Sequence, residues 1–440
     1  MALTGRAGLI ALAGALLVVL SPRPGLVFAV LLGLLAVLIG VDLALAGSVH
    51  ALRFQRQGDS ALRLGDSAEV TLLVENPGAR RVRGRLRDAW APSVRAMPRE
   101  QPVDVPPGER RRIVFRLSPL RRGDHQAVAV TVRAVGPLGI AARQGSHRVP
   151  WSVRVLPPFL SRRHLPSRLA KLRELDGRHP ALVRGQGTEF DSLREYVAGD
   201  DVRSIDWRAT ARRHDVVVRT WRPERDRRVL IVLDTGRTSA GRVGVDPTSG
   251  DPTGWPRLDW SMDAALLLAA LAAKAGDRVD FLAHDRAVRA WVSGASRTET
   301  LSAVVNAMAP LEAELVEADA PGMVAAVLTR ARRRCLVVLL TDLNAAALEE
   351  GLLPVLPQLS ARHQVLVAAV ADPRVAELAA GRDGAEQVYD AAAAEKLRGE
   401  RRRITARLRR HGVEVVDALP EDAAPALADA YLALKAAGRL

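Results

Sequence analysis

Two apolar runs at the amino terminus impose the tightest constraint on this chain. Ala7–Leu20 is uninterrupted, Ser21-Pro22-Arg23-Pro24-Gly25 makes a turn, and Leu26–Ala46 is apolar apart from Asp42. The second run has 21 residues, about 31 Å as a helix, against a hydrocarbon core of roughly 30 Å. The first reaches that length only by starting near Ala2, with Arg6 snorkelling to the interface. Residues 1–50 therefore read as a transmembrane helix hairpin. Two buried helices are the soluble alternative. A signal peptide fits poorly, because Pro-Arg-Pro breaks the runs even though Ala44-Leu45-Ala46 has a small-x-small form. Arg6, Arg53, Arg56 and Arg63 outnumber Arg23 in the turn, so the positive-inside bias puts both ends, and the soluble domains, in the cytoplasm.

The rest of the 440 residues is long enough for two or three cores. Charge divides unevenly. Through Arg228 there are 39 basic against 21 acidic residues, which leaves 25 against 28 for the remainder of a chain whose net charge is +15. Residues 51–157 alternate in polarity and are punctuated by Asn76-Pro77-Gly78 and Pro106-Pro107-Gly108. Their clearest strands are Ala68–Val74, Arg81–Arg87, Arg111–Leu117, Ala127–Ala134 and Ser152–Leu156, a β-sandwich-like pattern. Arginines at period two on Arg81–Arg87 raise a nucleic-acid reading. No aromatic platform, zinc spacing or recognition helix accompanies them, and a basic face beside anionic lipid head groups is preferred next to a membrane anchor. Residues 158–184 form a basic, helix-compatible connector. Cys335, the single cysteine, sits in an apolar run and reads as a small buried hydrophobe.

From residue 229 to residue 440 apolar strands alternate with helices. The strands are Val229–Leu233, Arg278–Leu282, Ala287–Val292, Cys335–Leu340, Val365–Val370 and Val413–Val416, and the helices include Leu258–Ala275, Ala345–Leu359, Ala391–Arg410 and Ala424–Ala437. This is an α/β pattern with a mostly parallel sheet covered on both faces. Sites in such sheets lie at the strand carboxyl ends, where Asp234 and Thr341-Asp342 fall. Two carboxylates with the Thr238 hydroxyl are hard ligands suited to Mg²⁺ or Ca²⁺. The run Asp234-Thr235-Gly236-Arg237-Thr238, followed later by Thr341-Asp342, resembles the metal-ion-dependent adhesion site of von Willebrand factor type A domains, a Rossmann-like fold. Gly236 replaces the family's first serine, and no threonine stands near Ala320-Pro321-Gly322. The resemblance thus implies the fold and only a degenerate metal site at Asp234, Thr238 and Asp342. Metal-assisted hydrolase or nuclease chemistry through Asp234 and Asp342 is the enzymatic alternative. No nucleophile elbow, phosphate loop, His-Glu-x-x-His or Cys/His dyad is visible.

Residues 185–228 mix dense charge with aromatics. Gly187, Glu189, Phe190, Asp191, Arg194, Tyr196, Gly199, Asp200, Asp201, Asp206, Trp207 and Arg208, in this order and spacing, closely resemble the signature of bacterial domain-of-unknown-function 58 proteins. That resemblance covers the whole organisation of the chain. It implies a membrane-associated partner of MoxR-type AAA+ ATPases, acting on an unidentified protein client in maturation, assembly or cell-envelope processes, and with no catalytic motif visible a non-enzymatic adaptor is expected. Read physically, Gly199-Asp200-Asp201 is a helix-capping turn. Asp206, Arg208 and Arg212 around Trp207 suggest a buried charge network clamped by an aromatic, which would weld the segment to the α/β domain. A partner-binding surface is the competing reading of the segment as a whole.

Overall fold

The computed structural model describes residues 2–178, 189–197, 200–213, 215–222, 227–296 and 298–440. The chain divides into two compact units, Met1–Leu156 and Pro157–Leu440. It is a mixed α/β protein with several sheets.

In the first unit the amino-terminal helices are Gly5–Leu20, of 16 residues, and Pro24–Leu45, of 22. Pro24 at the first position of the second helix lacks an N–H that the helix would leave unsatisfied anyway. Pro24–Leu45 is long and apolar enough to cross a membrane; Leu26, Phe28, Val30, Leu32, Leu34, Val37, Val41 and Leu45 are exposed, while Val27, Leu31, Leu35 and Leu38 are half-buried. The first helix does not start near Ala2. Ala2–Leu3 is instead an edge strand paired antiparallel with Ala141–Ala142, so only about 24 Å of helix follows.

Asp42, the one charge in the second run, is fully buried. Its carboxylate accepts the amide N–H groups of Leu138 (2.8 Å), Ile140 (2.8 Å) and Ala141 (2.7 Å). A carboxylate near a helix carboxyl end opposes the helix dipole, and three donors from one loop offset that cost. The fit is close enough that a Cβ at Gly136 would lie 2.2 Å from Asp42 Oδ1. The Thr4 hydroxyl donates to the carbonyls of Gly139 (2.6 Å) and Ile140 (3.0 Å) in the same loop. Both ends of the helical pair are thereby tied to residues 136–142.

That loop belongs to a two-sheet body. Arg53–Gly58, Ala68–Glu75 and Arg110–Leu117 make a three-stranded antiparallel sheet. The other sheet is built around the long strand Gly123–Val135, which pairs with Val82–Trp90, Ala141–His147 and Ser152–Leu156. Leu72, Val74 and Phe115 from the first sheet meet Leu86, Val130 and Val132 from the second in one apolar core. Arg53–Gly58, Ala61–Arg63, Gln101–Val105 and Ala141–His147 are strands the alternation does not reveal, being short or interrupted by charges, Pro102 or Gly145. One polar group crosses this body. Arg56 and Asp88, both with fully buried side chains, form a bidentate pair at 2.6 Å. Trp90 Nε1 donates to Asp88 at 2.8 Å, and Arg56 Nε donates to the Val149 carbonyl at 2.9 Å.

In the second unit a six-stranded sheet runs in the order Val288–Val292, Arg278–His284, Arg228–Asp234, Leu336–Leu340, Gln364–Val370, Glu414–Ala418. Val288–Val292 is antiparallel to its neighbour and every other pairing is parallel. Helix Arg257–Lys274, buried from Leu258 to Ala272, packs with Pro420–Ala436 on one face. Ala320–Arg330, the turns from Leu348 to Leu359 and the end of Ala385–Arg410 cover the other. The expected helix over Ala345–Leu359 is broken into Ala345–Ala347, a π-turn at Leu348–Leu352 and Leu356–Ser360. The connector becomes helix Leu165–Arg178, with Pro166 in its first turn, Leu172 buried, and Arg168 and Lys171 both on Asp429. Ser161 N–H donates to Asp263 in the central helix at 3.1 Å, and burial pushes the Asp263 carboxyl above its ordinary range.

Candidate functional site

The chain visits the sheet centre first at Arg228–Asp234, adds Arg278–His284 on one side, then crosses to Leu336–Leu340 on the other. A crevice opens where the direction of winding reverses, outside the carboxyl ends of these strands. The pocket there has a volume of ≈ 330 Å³. Asp234, Thr238, His284, Thr341 and Glu350 line it, with apolar walls from Val232, Met323, Leu339, Leu348 and Leu352.

Asp234 is the focus. Its Oδ1 accepts the Gly236 amide at 2.8 Å, and its Oδ2 accepts the hydroxyls of Thr341 at 2.7 Å and Thr238 at 3.1 Å. The side chain is nearly buried, and no cation pairs with it among the described residues. Asp342, expected beside it, faces elsewhere. Successive residues at a strand end point to opposite sides, so a Thr341 turned toward Asp234 sends Asp342 away. Asp342 Oδ1 receives Arg401 Nη1 at 2.8 Å, and its Oδ2 lies 3.4 Å from Arg257 Nη1. Arg401 also forks onto Asp417 at 2.8 Å. Burial alone would lower the Arg401 pKa, but the hydrogen bonds and charges of Asp417 and Asp342 outweigh it and raise it.

This donor set does not fit a divalent cation. Of the expected set only the Asp234 carboxylate and the Thr238 hydroxyl line the pocket, Asp342 being held by arginines, while Mg²⁺ and Ca²⁺ take six or more oxygens. Gly236 supplies no hydroxyl, and a Cβ there would sit 3.1 Å from both Asp234 Oδ1 and the Val316 carbonyl. Among the described residues no group of three or more His, Cys, Asp or Glu side chains could hold a metal. Sequence reasoning placed Asp342 in the site and passed over Thr341; only the strand-end alternation could have separated them. His284, only a weak signal beside Asp285 in the sequence, lines the same pocket with its Nδ1 buried and without a hydrogen-bond partner among the described residues. The adjacent Asp285 only ties its own turn, accepting the Arg286 and Ala287 amides. The glycine-rich insertion after Thr238 does not reach the pocket. It folds into a short strand pair whose Val243 and Trp255 pack on Trp260, Val370 and Ala423.

A Cys/His contact invisible in the sequence forms at the opposite end of the sheet, where Cys335 Sγ lies 3.4 Å from His363 Nδ1. Burial pushes the thiol up to about 12 and lowers the His363 pKa. An activated nucleophile needs the reverse shift for the thiol.

The signature segment lies on its own small scaffold. Glu189–Glu195 pairs antiparallel with Val217–Arg222. Glu189, Phe190 and Asp191 enter this description as backbone, and Gly187 and Gly199 lie outside the described residues. Asp201 caps a short turn through the Arg203 amide at 3.0 Å. Asp206 caps helix Trp207–Arg213 by accepting the amides of Arg208 and Ala209, each at 3.0 Å, and pairs with Arg219 at 2.8 Å. The Ala209 amide and the Arg219 guanidinium hold the Asp206 carboxyl below its ordinary range. Arg194 pairs with Asp200 at 2.6 Å. The expected clamp is therefore corrected in two respects: Asp206 pairs with Arg219, not Arg208, and Trp207 is 66% exposed. The charges fasten the segment to itself, while Tyr196, Val197, Val202, Trp207 and Val216 face outward.

Comparison with known proteins points the same way as the signature. Uncharacterized proteins of Mycobacterium tuberculosis and Mycobacterium bovis are 28% identical over 208 residues, 46% of this chain and 61% of each relative. The chain thus spans about three fifths of the length of the curated relatives it matches. Among solved structures, the CARDB domain of the PF1109 protein from Pyrococcus furiosus is 17% identical over 24% of this chain and 86% of that one, with a TM-score of 0.19. A beta-glucosidase from Listeria innocua is 14% identical over 22% of this chain and 16% of its own, at 0.15. The profile of the family described as "Protein of unknown function DUF58" matches residues 192–415, about half of the chain and most of its second unit, and the chain belongs to that family.

Proposed function

We propose that this protein is a membrane-anchored, non-enzymatic adaptor that docks a MoxR-type AAA+ ATPase through its signature segment and presents a protein client to it. The observation that carries the reading is the distribution of polarity over residues 189–222. Arg194 pairs with Asp200 and Asp206 with Arg219, whereas a large aromatic and several aliphatic side chains are left to solvent. Exposed aromatic surface of this kind is characteristic of interaction hot spots. The second unit, with its sheet order and crevice, is read as a von Willebrand factor type A-like domain whose adhesion site has lost its metal set. Pro24–Leu45, paired with Gly5–Leu20, is read as the anchor in the cytoplasmic membrane, with both soluble units on the cytoplasmic side.

A nucleic-acid role is disfavoured by local neutralisation. Arg81, Arg85, Arg110, Arg111, Arg116 and Arg154 each pair with a carboxylate on the strand surface. Metal-assisted hydrolysis through Asp234 and Asp342 is disfavoured because arginines hold Asp342. Co-purification of a MoxR-type ATPase with the full chain in detergent tests the adaptor reading. Wild type captures the ATPase and Trp207→Ala does not, at equal melting temperature. Equal capture by both would sever the signature from partner binding.

A further inference from the structure

We propose that the Asp234 pocket is a metal-free receptor for an organic cation, the guanidinium or ammonium head of an arginine or lysine side chain on a partner polypeptide. This inference stands independently of the ATPase-docking surface around Trp207.

Three observations converge on it. The first is charge. Asp234, Glu317, Asp319 and Glu350 line the pocket against one guanidinium, that of Arg237, which Glu317 already holds at 3.0 Å. Asp234 itself is stabilised by neutral donors and lacks a counter-ion among the described residues. Asp342, the carboxylate expected beside it, is paired with two arginines. One position has thus been given its positive charge from within the chain, and the other has not.

The second observation is His284. It is 4% exposed, lines the same pocket, and its buried Nδ1 has no hydrogen-bond partner among the described residues. Leaving a buried polar atom unpaired is costly. A guanidinium or ammonium head seated against Asp234 would lie beside this imidazole and supply the charge-assisted donor that Asp234 lacks among the described residues, since a carboxylate oxygen accepts more than one hydrogen bond. Among the described residues no group of three or more His, Cys, Asp or Glu side chains is placed to hold a divalent cation, and an anion would meet four carboxylates.

Shape supplies the third. Val232, Met323, Leu339, Leu348 and Leu352 form apolar walls suited to the methylene stem of a long basic side chain. A volume of ≈ 330 Å³ lies at the low end of the ~300–1,000 Å³ of ligand pockets, so the pocket takes one side chain rather than a large cofactor. The Glu317 side chain is 71% exposed and Glu350 is also exposed, and both give the mouth a field that steers cations inward. A free amine would gain only the contacts inside this small pocket, whereas a peptide also meets the rim, which is the ground for assigning a polypeptide.

The test is calorimetric titration and thermal shift of the full chain in detergent with acetyl-Gly-Arg-Gly-amide, the corresponding lysine and citrulline peptides, acetyl-arginine-amide and MgCl₂. Arginine and lysine peptides bind and raise the melting temperature, while citrulline, the neutral isostere, binds about 10- to 100-fold more weakly, the range of one charge-assisted hydrogen bond. Asp234→Asn abolishes the shift. Glu350→Gln, on the exposed rim, folds normally and weakens the basic peptides while leaving citrulline unchanged. Equal binding of citrulline, no binding of the basic peptides, or an Asp234-dependent rise in melting temperature with MgCl₂ alone would overturn the proposal. Acetyl-arginine-amide binding as tightly as the peptide would overturn the polypeptide assignment. None of these outcomes bears on Trp207 or ATPase capture.

Discussion

Two carboxylate–guanidinium pairs of similar length do opposite work in this chain. Arg56–Asp88 lies inside the two-sheet body with both side chains fully buried, and Trp90 and the Val149 carbonyl complete its hydrogen bonds. Asp206–Arg219 lies in the signature segment with the arginine side chain 47% exposed, and beside it an indole faces solvent. Burial makes the first pair indispensable to its surroundings, because removing one member strands the other in a medium that cannot solvate it. Solvent makes the second replaceable as an energy source and leaves it a geometric task, which is to start a short helix and set Trp207 outward. A charge pair is informative about function only once its burial is known.

The comparison can be broken most forcefully at Asp88. Asp88→Ala should cost about 3–5 kcal/mol in the melting transition of the first unit, and a loss under 1 kcal/mol would show that the Arg56 site rehydrates freely. An intermediate case is Arg401, which is mostly buried between Asp342 and Asp417. Arg401→Met should cost about 1–3 kcal/mol, read by denaturant titration of the second unit, because Arg257 at 3.4 Å only partly replaces it.

Asp206 should show a smaller and pH-bounded effect. Its folded pKa lies below the unfolded value of about 3.9, so its contribution is present above that pH and is lost as pH falls through the folded value. The stability difference between wild type and Asp206→Asn, measured across an acid titration, should therefore be present at pH 7 and vanish in strong acid. A difference that persisted there would have to come from something other than the carboxylate charge. Trp207→Ala should move stability least, within about 0.5 kcal/mol as for other surface sites, while abolishing ATPase capture. A large stability loss would return the indole to the structural role first expected of it.

The α/β sheet was legible because its strands are buried on both faces and therefore read as continuous apolar runs. Arg228–Asp234, Leu336–Leu340 and Gln364–Val370 fall within a residue of the expected segments. Strands such as Gln101–Val105 were not legible, since a half-exposed edge carrying Pro102 has no clean alternation. At the site, Asp234 and Thr238 were identified from their spacing and do meet. Asp342 was placed beside them because adjacency in sequence says nothing of which way a strand-end side chain turns. The charge network of the signature was anticipated in composition and misassigned in pairing, since Arg208 is near Asp206 along the chain whereas Arg219 reaches it only across the β-hairpin.

The sequence by itself determined the buried strands of the six-stranded sheet, where the charge lies, and that Asp234 ends the central strand, because these follow from local polarity and periodicity. Only the tertiary structure decided which charges are partnered. It gave Asp42 a socket of amides, gave Asp342 two arginines, left Asp234 without a counter-ion among the described residues, and turned Trp207 to solvent. Partnership and burial depend on residues far apart in the chain arriving at one place, and local polarity carries no record of that encounter.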